Sequence, residues 1–423
     1  MDKQARKRQL EEIQKNESYV AMTGIPLQYR GQTLSMKVYK IPLSFLVYNK
    51  HNGRIASLVF SYQEQNGELD PEKEVDKKII EGFLWESKKD RNEYTLQNLE
   101  KNRQQRYGIV TADGIIVDGN RRAMLLNKLF HEKGVAHAEY FLAIILPQDA
   151  NDKDINQLEA LYQLGEDDKL DYNSIEKYLK CRQLKQSGTP EPQIADLMGI
   201  NEKQIKRWLA VLELMDKYLE EYGYKGMYTC LKEDTSFSEL YDYLASYEVG
   251  GANTKGMDWE PKADDRYALR TVCFDYIRAG FDVRDIREIA KTGKKGSFFF
   301  YEDMWNSFCN EHEASIPIEE SVDELRVKYP DADLSKLLKG RDADWAKKAK
   351  DTFELNLEQH KRKLEDKRDA DKPAALVSRA LSTLRQVGVG EANFTQDPSI
   401  LPMVVEIEEL IAKMKQILGK GTK

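Results

Sequence analysis

The sequence predicts an α+β N-terminal domain, then a mostly α-helical helix-turn-helix domain and further C-terminal helices. Three observations support this fold class. Strand-like apolar runs are confined to the first 150 residues, and the clearest is residues 140–146, closed by Pro147. Residues 193–208 have the spacing of a helix-turn-helix. From about residue 155 onward, the remaining apolar pattern is almost entirely helical.

Length and charge set the first limits on function. A chain of 423 residues is long enough for two to four domains, and 41% hydrophobic residues suffice for real cores. The 65 basic and 72 acidic side chains give a formal net charge of −7. This balance argues against a protein that coats nucleic acid non-specifically, but it is compatible with a local basic patch.

Targeting and redox features point to the cytoplasm. We find no run approaching 18 apolar residues and no apolar segment after the charged N-terminus, so we predict neither a membrane span nor a signal peptide. The four cysteines have neither metal-ligand nor disulfide-framework spacing. We therefore expect a cytoplasmic, nucleoid-associated protein with no membrane partner.

The N-terminal elements follow in order along the chain. Residues 3–16 are expected to form a charged peripheral helix. Residues 36–64 hold two or three strand candidates, of which the apolar run at residues 55–60 is one. Residues 68–106 are charged and mostly helical. Residues 107–116 then predict a β-hairpin around an Asp-Gly turn.

The junction that follows the hairpin predicts a phosphate pocket. Residues 114–123 read as a short strand, an Asp-Gly turn and the start of a helix. Gly119 permits positive φ, and the first helical turn presents free N–H groups to an anion. The guanidinium groups of Arg121 and Arg122 add forked donors for phosphate oxygens. The alternative is a tight turn with two solvated arginines.

Residues 193–208 predict a DNA-binding helix-turn-helix. Ala195 is small where two helices cross, Gly199 suits the turn, and Ile205 points back to the core. Asn201 is a good N-cap for the second helix. The outward residues of this helix, expected to contact DNA, are Glu202, Lys203, Gln204, Lys206 and Arg207. A helix-turn-helix that only packs or binds protein is the alternative.

Together these features resemble the ParB/sulfiredoxin superfamily over roughly residues 36–220. Residues 118–122, Asp-Gly-Asn-Arg-Arg, are similar to the family's phosphate box, and residues 49–54 are similar to its Asn-x-x-Asn-x-Arg turn. Residues 104–110 stand where ParB proteins carry a Gln-Pro segment before the central hairpin. In this superfamily the turn binds the phosphates of a nucleotide, which is CTP in partition proteins and ATP in sulfiredoxin.

The resemblance implies a nucleoside triphosphate site, with Mg²⁺ bound alongside the phosphates. The residues it assigns to the nucleotide are Asn52, Arg54, Gln104, Gln105, Asp118, Gly119, Asn120, Arg121 and Arg122. Glu166 or Asp118 would hold the metal. The chain departs from partition proteins in a longer charged insert between Arg54 and Gln104. It also departs in the metal-binding segment, whose nearest counterpart is residues 163–168.

Three functional hypotheses follow. The first is a ParB-like DNA-binding protein that binds, and hydrolyses, CTP or ATP to switch DNA or partner binding. The second is an NTPase or nuclease component of a DNA-modification or phage-defence system. The third is a helix-turn-helix regulator or adaptor that has lost nucleotide binding. No dedicated nucleophile is recognisable, so hydrolysis would depend on positioning a water and stabilising charge.

The pattern of the C-terminal half predicts helices, and the role of the last two helices has two interpretations. Residues 266–290 are expected to form two core helices around Gly280, and residues 346–371 a charged exposed helix. Two apolar-faced helices follow, at residues 373–387 and 402–418, the second with apolar spacings of 4, 3, 4 and 3. Either this hairpin packs on its own chain, or it mediates self-association or docks a protein partner.

These elements suggest five regions. They are an N-terminal helical extension (1–35), a ParB-like nucleotide-binding domain (36–150), a helix-turn-helix DNA-binding domain (151–250), a helical domain (251–345), and a charged connector with a C-terminal helical hairpin (346–423).

Overall fold

The computed structural model confirms an α+β region followed by helices. The residues it describes are 1–164, 173–231, 234–248, 254, 256–292, 296–330, 332–387, 394 and 396–420. The chain divides into two compact units, Met1–Leu357 and Glu358–Lys423. The predicted boundaries at residues 150 and 250 fall inside the first unit and stay predictions.

The first unit is built on a mixed sheet of five strands. These are β1 (Val20–Tyr29), β2 (Gln32–Pro42), β3 (Gly108–Val110), β4 (Ile116–Asp118) and β5 (Tyr140–Ile145). Their order is β1-β2-β5-β3-β4, and every neighbouring pair is antiparallel except β3 and β5. The predicted hairpin and the predicted strand near residue 140 are therefore confirmed, and they lie side by side in the sheet.

Helices cover both faces of this sheet. The helices of the first unit are α1 (Lys3–Lys15), α2 (Ala56–Asn66), α3 (Glu74–Glu86), α4 (Lys89–Asn102), α5 (Asn120–Lys133), α6 (Asp152–Leu164), α7 (Ser174–Gln186), α8 (Glu191–Met198), α9 (Glu202–Glu221), α10 (Thr235–Ser246), α11 (Ala263–Arg278), α12 (Val283–Ala290), α13 (Glu302–Glu313), α14 (Val322–Lys328) and the start of α15 (Leu334–Leu384). Side chains alternate between faces along β5. Phe141 and Ala143 pack with α1 to α5, whereas Ile144 packs with Leu158 of α6.

Two N-terminal predictions are wrong. Residues 1–35 are not a helical extension, because β1 follows α1 and forms an edge of the sheet. Gly24 and Pro26 interrupt the alternation of β1, which hid its strand character. Residues 55–60 are not a strand but the start of α2. A short continuous apolar run fits a strand and a buried helix equally well, so periodicity could not decide between them.

The helix-turn-helix geometry appears in α8 and α9. Gly199 ends α8 with φ 65°, and the side chain of Asn201 caps α9 by accepting from the Gln204 N–H at 2.8 Å. Ala195 and Ile205 are buried in one small core with residues of α6 and α7. The predicted helices around Gly280 are likewise confirmed as α11 and α12.

The second unit contains the end of α15 and a helix α16 (Ile400–Lys420). The charged segment at 346–371 and the apolar-faced segment at 373–387 were predicted as separate elements, but α15 runs through both as far as Leu384 and includes Pro373. Many large apolar side chains of α16 are exposed, including Met403 and Leu410. None of the helices among the described residues is both long and apolar enough to cross a bilayer.

Candidate functional site

A pocket of about 420 Å³ opens where β4 turns into α5. It is lined by Asn52, Arg54, Arg91, Tyr94, Thr95, Arg106, Asp118, Gly119, Asn120, Arg121, Arg122 and Tyr162. Seven of the nine residues predicted to bind a nucleotide are in this lining. The volume lies within the usual range of small-molecule sites. The structure therefore gathers most of the predicted nucleotide-binding residues around one cavity.

Gly119 shapes the floor of the pocket. It is the N-cap of α5 and adopts φ 102° and ψ 16°, in the left-handed region. A Cβ at this position would stand 2.7 Å from the ring of Phe141, so the backbone lies directly on the buried strand β5. The N–H groups of the first turn of α5 have no intrahelical acceptor, as at any helix start. The junction therefore offers backbone donors and the positive end of a helix dipole to an anion.

The side chain of Asn120 bonds the start of α5 to the turn at residues 49–54, which forms the opposite wall of the pocket. Its side-chain oxygen accepts from the Asn49 N–H at 2.9 Å, and its amide donates to the Ile116 carbonyl at 3.0 Å. In the same turn, the side-chain oxygen of Asn52 accepts from the Arg54 N–H at 3.1 Å. Both asparagines thus fix the backbone that places Arg54 over the pocket. Their side-chain oxygens are already engaged in this scaffold.

Five arginines surround the pocket, against a single carboxylate in its described lining, Asp118. Arg122 donates to Asp118 at 2.7 Å and to the Tyr107 carbonyl at 3.0 Å. Burial lowers the pKa of Arg122, but a guanidinium remains charged near neutral pH. Arg121 donates to the side-chain oxygen of Asn92 at 3.0 Å, which fixes its direction. The described lining is therefore rich in guanidinium groups, whose forked donors match phosphate oxygens.

One wall was missed by the sequence interpretation. Arg91, Tyr94 and Thr95 come from α4, inside the segment predicted only as charged and helical, and Tyr162 comes from α6. The i, i+3, i+4 spacing of the α4 residues places them on one helix face, which was the available signal. The side chain of Tyr94 is 72% exposed, so a large aromatic ring stands open beside the arginines. Such a ring can stack on a nucleobase.

Gln104 and Gln105 are not in the pocket lining, so the structure does not bring them together with the other seven residues, and their contact with the base or ribose stays a prediction. Gln104 is buried and accepts from the Leu142 N–H at 2.8 Å while donating to the Leu142 carbonyl at 2.9 Å. Gln105 donates to the Asn102 carbonyl. Both side chains instead bond to backbone groups, Gln105 at the end of α4 and Gln104 on β5. The bond to β5 joins residues distant in sequence, so the sequence alone does not predict it.

Of the two expected Mg²⁺ ligands, only Asp118 is among the residues that the structure describes. Glu166 lies outside the described residues. Among the residues that are described, no group of three His, Cys, Asp or Glu side chains has the arrangement of a metal site. Asp118 is committed to Arg122. The described donor set therefore fits phosphate oxygens, and the binding of Mg²⁺ stays a prediction.

A buried ion pair supports the Asn52–Arg54 turn from below. The Gly53 N–H donates to Glu159 of α6 at 2.8 Å, and the other oxygen of that carboxylate contacts the Lys180 ammonium of α7 at 2.7 Å. Neither charged side chain has any exposed surface. Their sequence neighbours Ala160 and Cys181 belong to the helix-turn-helix core. The turn of the pocket is therefore tied directly to the helices that carry α8 and α9.

A second carboxylate ties α7 to the start of α2. Glu176 accepts from the Ser57 N–H at 3.2 Å and from the Ser57 hydroxyl. Burial raises the pKa of Glu176 to about 7, although the hydrogen bonds from Ser57 favour the charged form. Near neutral pH this carboxyl is therefore divided between its neutral and charged states.

The raised pKa of Glu176 predicts a pH-dependent stability. The folded protein binds this proton more tightly than the unfolded chain, so the stabilisation is complete below about pH 4.5 and is lost as pH rises through about 7. Titration of Glu176 should lower the unfolding free energy by roughly 2 kcal/mol between about pH 5 and about pH 8. We expect this part of the decrease to be absent in Glu176→Gln. Denaturant titrations of both proteins at the two pH values measure it. An equal decrease of the unfolding free energy in both proteins would refute the assignment of this pH dependence to Glu176.

Of the five residues predicted to contact DNA, only some are exposed. Glu202, Lys203 and Lys206 are exposed and Gln204 is half-buried on the outward side of α9. Arg207 instead donates through two nitrogens to Asp242 of α10, at 3.0 and 2.8 Å. The assignment of Arg207 to DNA is thus not supported by this geometry. The spacing within the helix-turn-helix motif does not predict this partner of Arg207, because Asp242 lies on another helix.

No protein-family model matches this chain, and no curated protein is significantly similar to it. The likeness to ParB-like proteins therefore stays a prediction from the motifs.

Proposed function

We propose that this protein is a nucleotide-dependent DNA-binding protein of ParB-like type. Its first unit would bind a nucleoside triphosphate, CTP or ATP, in the arginine-lined pocket at the β4–α5 junction. The single observation that carries the proposal is the convergence of five arginines on a left-handed glycine and a helix N-terminus. That arrangement supplies backbone N–H groups, forked donors and positive charge at one place.

The remaining lining suits the rest of a nucleotide. Tyr94 and Tyr162 offer aromatic rings at the side of the phosphate-binding region. Stacking on such rings is tolerant of base identity, because every base has a π-face. This supports nucleotides as a class and leaves the choice between CTP and ATP to measurement.

The ligand would influence DNA binding through the packed helices below the pocket. A nucleotide that shifts the Asn52–Arg54 turn also displaces Gly53, whose N–H is held by Glu159. Glu159 and its partner Lys180 lie on α6 and α7, which pack with α8 and α9. A ligand with different affinities for two arrangements of these helices shifts the balance between them. DNA or partner binding would change with it.

The proposal is tested by nucleotide binding to the whole chain. CTP, ATP, GTP and UTP are titrated separately, and the best ligand is then titrated into Arg106→Gln. The exposed side chain of Arg106 lines the pocket, whereas Arg122 also holds backbone carbonyls and is a poorer choice for replacement. Loss of one charged hydrogen bond should weaken binding roughly 10- to 100-fold.

Arg8→Gln is the matched control for this titration. Arg8 is an exposed arginine on α1 outside the pocket lining, so its replacement should leave the dissociation constant unchanged. Equal weakening by both variants would indicate a general charge effect. Failure of all four nucleotides to bind would contradict the proposal and favour the regulator or adaptor hypothesis.

DNA binding is tested with the same protein. A random duplex library is selected with and without the nucleotide that binds, and the enriched duplex is titrated into Lys203→Gln/Lys206→Gln. Because both lysines are exposed on α9, the double variant should lose affinity and show a shallower salt dependence. Release of inorganic phosphate or nicking of the duplex would instead support an NTPase or nuclease.

A further inference from the structure

Helix α16 exposes an apolar stripe along its length. Apolar side chains recur at spacings of 4, 3, 4 and 3, which places five of them on one helix face: Met403, Ile407, Leu410, Met414 and Ile417. Ile407 is half-buried, and the other four are between 46% and 63% exposed. A contiguous exposed apolar patch of this kind marks an interaction site more often than a solvated surface.

The size of the stripe fits an interface between two copies of the chain. Val404 and Ile411 widen it on one side, and both are exposed. With about half of each side chain open, two such stripes would bury on the order of 1,200 Å² in total, which is the lower end of the range for specific interfaces. The end of α15, in the same compact unit, exposes further apolar side chains, including Leu381 and Leu384.

The charges on α16 divide into two halves of opposite sign. Glu406, Glu408 and Glu409 lie in the first half, and Lys413 and Lys415 lie in the second. Parallel pairing in register would place each charged residue level with the same residue of the second copy. Antiparallel pairing instead brings the acidic half of one helix beside the basic half of the other, and it also opposes the two helix dipoles favourably. The order of charges is therefore complementary to its own reversed copy.

The apolar spacing and the charges favour the same antiparallel register. In one register all the apolar positions are opposed by apolar positions of the second copy, in the pairs Ile407–Leu410, Met403–Met414 and Ile400–Ile417. Glu406 and Lys413 flank the stripe on the side opposite to Ile411. In this register Glu406 of one copy lies within about 3 Å, along the helix axis, of the level of Lys413 of the second copy. Two-fold symmetry forms this ion pair twice.

We infer that the protein forms a two-fold dimer in which α16 pairs antiparallel with α16 of a second copy. The occupant of the stripe is this chain itself, because a surface evolved for a different protein has no reason to complement its own reverse. An isologous interface of this kind uses the same patch on both copies. The dimer requires neither a nucleotide nor DNA, so its failure and the failure of the proposed function are distinguishable.

Sedimentation equilibrium of the full chain measures the assembly. The expected result is a mass of twice the 49.0 kDa of one chain, in the absence of nucleotide and DNA. The mass of a single chain at every concentration between about 1 and about 100 μM would overturn the inference. A mass above that of two chains would overturn the assignment of one second copy as the occupant.

Two variants with the same added charge test the stripe. Leu410→Glu places a charge at the centre of the interface and should raise the dissociation constant of the dimer about 100-fold or more. Ala412→Glu adds the charge on the opposite face of α16, where Ala412 is exposed, and should sediment as the unmodified protein does. Far-ultraviolet circular dichroism checks that both variants keep their helices. An unchanged mass in a folded Leu410→Glu variant would refute the interface.

Cysteine cross-linking tests the direction of pairing. Met403→Cys and Met414→Cys are oxidised separately and after mixing. In the antiparallel register each new cysteine lies about 16 Å along the axis from its own counterpart. A disulfide cannot span that distance, whereas position 403 of one copy faces position 414 of the other. We expect a cross-linked dimer from the mixture alone, above the background of the unmodified chain with its four cysteines. Cross-linking of each variant with itself would show parallel pairing and overturn the inference.

Discussion

Lys180→Met should destabilise the first unit by about 3–5 kcal/mol, because it leaves the Glu159 carboxylate buried and uncompensated. The ammonium of Lys180 lies 2.7 Å from that carboxylate and supplies the positive charge opposite it. The other partner of Glu159 is a neutral group, the N–H of Gly53. Chemical denaturation followed by far-ultraviolet circular dichroism measures the loss.

The double variant Glu159→Gln/Lys180→Met separates charge from packing. A glutamine at 159 can still accept from the Gly53 N–H but carries no charge that requires a partner. Replacing both members of a buried pair is often close to neutral, so the double variant should regain most of the stability lost by the single one. If both variants are equally unstable, the lysine contributes through packing and the ion pair is not what stabilises the turn.

Gly119→Ala should have the second large effect, on both stability and ligand binding. An L-residue at φ 102° is strained, and its Cβ would overlap the buried ring of Phe141 at 2.7 Å. Backbone strain and overpacking together should cost about 2–5 kcal/mol. Any relief requires the β4–α5 backbone to move, which misplaces the N–H groups offered to phosphate. Nucleotide affinity should therefore fall as well.

Gly134→Ala is the matched control for this substitution. Gly134 caps the other end of α5 at φ 66°, but a Cβ there meets nothing within 4 Å. It should show only the conformational cost of about 1–2 kcal/mol and should leave nucleotide binding intact. Thermal unfolding and nucleotide titration of both variants decide the matter. Comparable losses of affinity would mean that general instability, rather than the geometry of the pocket floor, explains the effect of Gly119→Ala.

Features that depend on residues close together in the chain could be predicted from the sequence. The strand, the glycine turn and the helix at residues 114–123 follow from apolar runs and turn chemistry, and so do α8, Gly199 and α9. In each case, neighbours within a few residues determine the backbone conformation. The strand–turn–helix wall of the pocket is therefore predictable from the amino-acid sequence alone.

Features determined by distant contacts were not accessible in this way. The spacing of Arg91, Tyr94 and Thr95 places them on one face of α4, but only the packing of α4 on α5 brings that face to the pocket, and residues 89–102 do not reveal this packing partner. The same reason explains Gln104, whose partner Leu142 lies far along the chain, and Arg207, held by Asp242. The helical start at Ala56 was missed for a different reason, because a short apolar run has no distinguishing period.

The pairing of Gln104 with Leu142 has an evolutionary consequence. One side chain both donates to and accepts from the backbone of a single strand residue, at 2.9 and 2.8 Å. Glutamate would lose the donor, asparagine is one methylene shorter, and an apolar replacement would leave both backbone groups unsatisfied. Selection on folding alone should thus keep glutamine at this position in descendants that change or abandon the ligand. An invariant residue beside a binding site can therefore record the architecture of the sheet and not the chemistry of the pocket.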